Sequence, residues 1–158
     1  MLDSGISHRL VFVGRNTNHL IKLKQMAMDL GIDQHISFLE NVEHGATLKI
    51  ISDAAAFILP SRKEPFGIVL LEAAYLETAV IASETGGIPE VLGRDYPFFV
   101  EPDDVEALTA QTILVLSDRV ARKTAIDNLK RRVVKHFGWH VAYSKYLQLI
   151  KECRKHGI

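Results

Sequence analysis

The sequence is short of the features that would take it away from ordinary globular chains. It has one cysteine in 158 residues, Cys153, so no internal disulfide can form, and a chain of this length can bury a full core without one. It has no excess of either charge: 19 Lys and Arg stand against 19 Asp and Glu, which removes a global field for recruiting nucleic acid or anionic lipid. The first apolar run, residues 10–13, is too short for a signal peptide or a membrane span. With the lone thiol this leads to the expectation of a cytoplasmic chain, with membrane contact only if a missing region supplies it. The seven histidines show no metal-ligand spacing; His136 and His140 are four apart, but Gly138 between them argues for a helix break, so no metal site is expected. Asp103 and Asp104 precede an apolar helix and read as caps. No G-x-G-x-x-G follows the first strand, where Gly14-Arg15-Asn16-Thr17 stands instead, which argues against a dinucleotide site. There is no repeat, linker or low-complexity segment.

What is present is an alternation of short apolar runs with amphipathic stretches. Residues 10–13 predict a first strand closed by Gly14. Asn16 or Thr17 caps a helix to about Leu30, with Leu20, Leu23, Met26, Ala27 and Leu30 at helical spacing and Gly31 as its stop. Further strands are predicted over 36–39, 54–59, 79–82 and 98–100. Helices are predicted over 46–52, with Leu48 and Ile51 inward, and over 67–76. Another runs from the Asp103 cap to about Leu116, one starts at Ser117 or Asp118, and a last one begins at Trp139. Trp139, Tyr143 and Tyr146 read as packing residues of that last helix. Strands alternating with helices predict an α/β fold, a doubly wound parallel sheet of about five strands with helices on both faces.

The stretch from Leu59 to Glu72 organises the rest. Pro60 cannot donate to a ladder and ends the strand before it, residues 61–66 form a loop at the strand's C-terminal end, and a helix starts at Gly67. The amides near Phe66, Gly67 and Ile68 are then the unpaired donors of a helix N-terminus, which attracts phosphates. The helix is apolar almost all round, so Glu72 is expected to be more buried than Glu64 in the loop. Ligands of such sheets sit beyond the C-terminal strand ends, so Gly14, the Glu64 loop and the Gly86-Gly87 turn are expected to face one crevice. There, glycines let amides approach a pyrophosphate and carboxylates recognise sugar hydroxyls. The bland readings are a solvated Glu64, a dipole-favoured Glu72, a plain Gly-Gly turn, and solvated cations at Arg62 and Lys63.

Glu64-Pro65-Phe66-Gly67, followed by Glu72 with seven residues between the glutamates, resembles the E-x7-E signature of retaining GT-B glycosyltransferases, family 4 and its glycogen-synthase-like relatives. Thr85-Gly86-Gly87-Ile88-Pro89-Glu90-Val91 is similar to that family's Gly-Gly-x-Pro-Glu turn. The resemblance covers most of the chain but corresponds only to the C-terminal, Rossmann-like half of such an enzyme, which binds a nucleotide-diphosphate-sugar donor. It implies that Glu72 binds the ribose hydroxyls and that Glu64 contacts the transferred sugar as the catalytic candidate. Pro65, Phe66, Gly67 and Ile68 would lie at sugar and phosphate, and Gly86 and Gly87 beside them, with Ile88 or Val91 packing on the nucleoside. No metal or other cofactor is implied. The alternative is a noncatalytic subunit or interaction module that keeps the fold.

Departures from the family shape the rest of the expectation. The family half opens with a strand and helix whose Gly-Arg loop and nearby Lys clamp the pyrophosphate. Residues 20–39 match the stretch after the family's second strand, about one βα unit later, so that role is not carried over to Arg15, and the chain is expected to lack the first βα unit. The acceptor-binding N-terminal domain is expected to be absent, leaving residues 1–158 as one donor-binding domain that needs an acceptor-binding domain or subunit for transfer. In the family order 3-2-1-4-5-6 the missing strand is central, and its loss has two repairs. The sheet closes to the order 2-1-3-4-5, joining the strands at 10–13 and 54–59, or a strand comes from a missing segment or from a second copy in a homodimer. Closure is favoured, because residues 1–9 hold no apolar run able to substitute.

Overall fold

The computed structural model of the chain describes residues 8–15 and 17–155. They form two compact units, Met1–Asp53 and Ala54–Ile158.

In the first unit β1 (Leu10–Gly14) and β2 (Ile36–Glu40) pair in parallel, with Leu10 opposite Ile36 and Gly14 opposite Glu40. Phe12 and Phe38 face each other in that register and stack with ring centroids 5.3 Å apart. The crossover α1 (Asn18–Asp29) is capped by Thr17, whose hydroxyl accepts the Leu20 amide at 3.4 Å; Asn16, the other predicted cap, lies outside the described residues. Gly31, at φ +65, ends the helix as expected, letting the Ile32 amide reach back to the Ala27 carbonyl at 3.0 Å. Only Leu20 and Ala27 of the predicted stripe are buried, whereas Met26 and Leu30 are 56% and 64% exposed. At 100° per residue Met26 sits roughly 120° around the helix from Leu20, off the line through Leu20 and Ala27. Lys24 lies nearer that line, with its ammonium 5.9 Å from the Phe38 ring centroid and paired with Glu40. The helix α2 (His44–Asp53) is longer than predicted and buries Ile51.

In the second unit β3 (Phe57–Leu59), β4 (Val80–Ser83) and β5 (Phe99–Val100) form a parallel sheet in that order. All four residues of β4 are buried. Around this sheet lie α3 (Ile68–Tyr75), α4 (Ile88–Leu92), α5 (Val105–Ser117), α6 (Arg119–Phe137) and α7 (Trp139–Lys155). Their buried contributions are Leu70, Ala73 and Ala74 of α3, Ile88, Val91 and Leu92 of α4, Thr112 and Val115 of α5, and the α6 stripe Ala125, Leu129 and Val133 at a spacing of four. Tyr96 is buried edge-on to Phe98, with its hydroxyl donating to the Val80 carbonyl at 2.7 Å; burial pushes its phenol well above the ordinary range.

The α/β class with parallel strands and surrounding helices is therefore as expected. The predicted order is found in two parts, β2-β1 and β3-β4-β5. Strand β3, half the predicted 54–59, gives all three of its residues to β4. Asp104, not Asp103, caps α5, its carboxylate accepting the Ala107 amide at 2.8 Å. Asp118 caps α6 through the amides of Val120 and Ala121, both at 2.9 Å. The helix α7 starts at Trp139 as predicted, yet none of its described residues is buried: Trp139 is 91% exposed, and Tyr143 and Tyr146 follow it. The burial expected of these aromatics is not seen among the described residues.

Just past α3, Glu77 at φ +58 pairs with Lys130 of α6, and that hydrogen bond holds its carboxyl below the ordinary 4.5. A carboxyl lowered in the folded state adds stability above its unfolded value and loses it as pH falls through the lower folded one, and for an exposed pair the contribution is small. Glu77→Gln should therefore lower the thermal midpoint slightly at neutral pH, and the two midpoints should converge as pH drops below 4.5. Thermal melts across that range check this; a gap that widens in acid would contradict it.

Candidate functional site

The loop that leaves β3 and the turn that leaves β4 emerge at the same end of a parallel ladder whose last β3 partner pair is Leu59 opposite Ala82. The first loop ends at Gly67, whose φ of +81 and ψ of 57 start α3 from the left-handed region. The Leu70 amide is the first to bond back along the helix, to the Gly67 carbonyl at 2.9 Å, so the amides of Gly67, Ile68 and Val69 precede the intrahelical ladder. The Phe66 amide differs from expectation, because the Glu64 carboxylate accepts it in a long 3.4 Å bond. The Phe66 ring meets Phe137 edge-on, with centroids 5.8 Å apart.

The turn after β4 is packed directly onto this loop. The Gly87 amide donates to the Glu64 carbonyl at 2.9 Å. A Cβ added at Gly86, which has φ +54, would lie 2.0 Å from that same oxygen, and one at Gly87 would lie 2.3 Å from the Pro65 carbonyl and 2.9 Å from Phe66 Cα. The two motifs thus form one backbone-packed body, and the close approach of chain to chain is sufficient reason for both glycines. The Thr85 hydroxyl adds a bond to the Arg62 carbonyl at 3.2 Å. Arg62 itself is ion-paired, its Nε donating to Asp103 at 2.8 and 3.0 Å, and Asp103 holds φ +66. The residue predicted as a cap is the counter-charge of a loop cation expected to be solvated.

Of the other predicted residues, Glu64 and Glu72 are both half-buried and Pro65 is exposed. Ile68 is 66% exposed at the first position of α3, while Ile88 and Val91 are fully buried and offer no surface to a nucleoside. Gly14 closes β1 in the first unit, is exposed, and would carry a Cβ without meeting any atom within 4 Å. Two supporting residues were not foreseen, Phe137 and Arg132; the latter donates to the carbonyls of Glu90 and Val91 at 2.8 and 3.0 Å. A shallow concavity of about 400 Å³ lies not at the Glu64 loop but along the end of α6 and α7, lined by Phe137, Gly138, Val141 and Tyr146 among others. Among the described residues no three of His, Cys, Asp and Glu gather where they could hold a metal ion, and no helix is long and apolar enough to cross a membrane.

The chain matches the family model of glycosyl transferases group 1 over residues 3–132 and belongs to that family. It is 30% identical over 118 residues to an uncharacterized glycosyltransferase of Methanocaldococcus jannaschii, a match covering 74% of this chain and 30% of the relative. Against glycogen synthase of Mycobacterium tuberculosis it is 32% identical over 113 residues, covering 71% and 27%. The chain therefore spans less than a third of the length of these two relatives. Its fold is similar to that of sucrose-phosphate synthase from Thermosynechococcus elongatus, with a TM-score of 0.81 at 24% identity over 94% of this chain and 39% of that one. Anabaena HepE in complex with UDP-glucose gives 0.72 at 19% identity, over 87% and 40%. The fold is accordingly that of a Rossmann-like GT-B domain.

Gly86→Ala and Gly87→Ala should each cost at least about 2 kcal/mol of stability, since backbone has to move out of the way and Gly86 is also left-handed. Gly14→Ala, with open space around it, should stay within roughly 0.5 kcal/mol of the parent. Denaturant titration of the three variants measures this, and equal effects at all three positions would refute the packing account.

Proposed function

We propose that this chain is the donor-binding half of a retaining hexosyltransferase and takes a nucleotide-diphosphate sugar. The observation that carries the reading is the docking of the Gly86-Gly87 turn on the Glu64 loop, which sets two carboxylate-bearing segments and a helix N-terminus at one end of a parallel sheet. In this reading Glu72 binds the ribose hydroxyls and Glu64 the transferred sugar. The amides around Phe66, Gly67 and Ile68 donate to the phosphates, and Pro65, Gly86 and Gly87 border the donor. The bond from the anomeric carbon to the phosphate oxygen breaks, the acceptor hydroxyl bonds to that carbon on the same face, and its proton leaves with the nucleoside diphosphate. Amides aimed at the departing diphosphate stabilise its growing charge. The UDP-glucose complex of the structurally similar HepE and the glycosyltransferases among the relatives support the donor class.

Residues 1–158 then act as one donor-binding domain in the cytoplasm, without metal or other cofactor and without nucleic acid. An acceptor-binding domain, in the same or another chain, completes the site, so this chain by itself binds donor without transferring sugar. A noncatalytic module is the second reading, favoured by one observation: both motif glycines are demanded by internal packing whether or not a ligand binds.

Calorimetry with UDP, GDP and ADP, with and without magnesium, separates the two. Weak binding of one of them, unchanged by magnesium, is expected; no binding of any would leave the noncatalytic reading. Glu72→Gln should weaken the binding by about 1 to 3 kcal/mol, the range for losing a charged hydrogen-bond partner.

A further inference from the structure

We propose that Arg132 is a positioning residue that fixes the Glu64 loop from the far side of α4. Its functional meaning rests on the donor reading above; its structural content does not. The helix α4 has five residues, too few to hold its own shape, and its last carbonyls have no partners further along the helix. Arg132, half-buried on α6, supplies them: Nη2 donates to the Glu90 carbonyl at 2.8 Å and Nε to the Val91 carbonyl at 3.0 Å. Both are charge-assisted bonds from one planar group, which fix orientation as well as distance. Gly93 turns the chain away at φ +96, and a Cβ there would come 3.3 Å from Arg132 Nε, so the chain reversal leaves room for the guanidinium.

From this anchor an unbroken series of backbone bonds runs to the loop. The amides of Glu90 and Val91 donate to the Gly87 carbonyl at 3.1 and 3.3 Å, and the Gly87 amide donates to the Glu64 carbonyl at 2.9 Å. The short helix is thus held at its C-terminal end by α6 and at its N-terminal end by the loop it supports. A lysine at 132 would keep the charge but not two donors in a fixed plane. Lys130, two residues away on the same helix, pairs instead with Glu77 and has no bond to α4, which makes it a matched control.

The test is amide hydrogen exchange on the ligand-free full chain in Arg132→Met, Arg132→Lys and Lys130→Met. The Gly87 amide should exchange about tenfold or more faster in Arg132→Met, by an intermediate factor in Arg132→Lys and at the parent rate in Lys130→Met, with the β4 amides unchanged. Equal acceleration throughout β4 and α6, or the same pattern in Lys130→Met, would overturn the assignment, because Arg132 would then support only the unit as a whole. If Arg132→Met does not fold, Arg132→Lys carries the same comparison against Lys130→Met. Titration with UDP, GDP and ADP is the second arm. The nucleotide that binds the parent should bind about tenfold more weakly to Arg132→Met and equally well to Lys130→Met, and undiminished affinity in Arg132→Met would also overturn it. If the parent binds none of the three, the donor reading fails by itself, and the exchange rates still decide whether Arg132 sets the position of Gly87.

Discussion

The hydrogen bond from the Gly87 amide to the Glu64 carbonyl ties the exit loop of β3 to the exit turn of β4, and the local architecture of the second unit depends on it. It can form because the parallel register places Leu59 beside Ala82, so both segments leave the sheet at one level. It is then tightened until nothing larger than hydrogen fits at positions 86 and 87. A carbonyl and an amide that would otherwise need water or side-chain partners satisfy each other, and two loops that would fray singly become one rigid surface.

Side chains from two other segments, and one from the exit turn of β4 itself, reinforce that surface. Phe137, at the end of α6, meets the Phe66 ring; Asp103, before α5, holds Arg62; and Thr85 reaches the Arg62 carbonyl. Each contact bridges a wide gap in sequence and a short one in space, so the loop is stiffened from outside rather than by its own composition. The α6 helix contributes most. Its buried stripe packs in the core, Arg132 reaches α4, and Phe137 reaches the loop.

Local physics was legible in the sequence. Thr17, Gly31, Asp118 and Trp139 act where capping, left-handed backbone and helix starts said they would, and the alternation of apolar runs pointed to the parallel α/β class. The failures are tertiary. Asp103 and Asp104 look alike as caps, and only the presence of Arg62 opposite one of them separates their roles. Arg132 lies 41 residues from Val91, and no spacing rule links them. Met26 fits an apolar repeat but stands outside the narrow stripe that is buried, and Trp139, Tyr143 and Tyr146 are apolar enough to pack yet are exposed among the described residues. The glycine pair was visible as a motif, but the nature of its constraint, backbone against backbone, was not.

Position 103 shows how two weak constraints combine into a stronger one. A φ of +66 admits glycine, asparagine and aspartate readily and strains most other side chains. Pairing with the Arg62 guanidinium requires a carboxylate. The backbone condition favours three residues and the charge condition leaves two, and aspartate is the one member of both sets. Glu77 at φ +58 shows that glutamate can be held there too, so an exposed surface site of this kind, ordinarily among the most permissive in a protein, narrows to a strong preference for one residue.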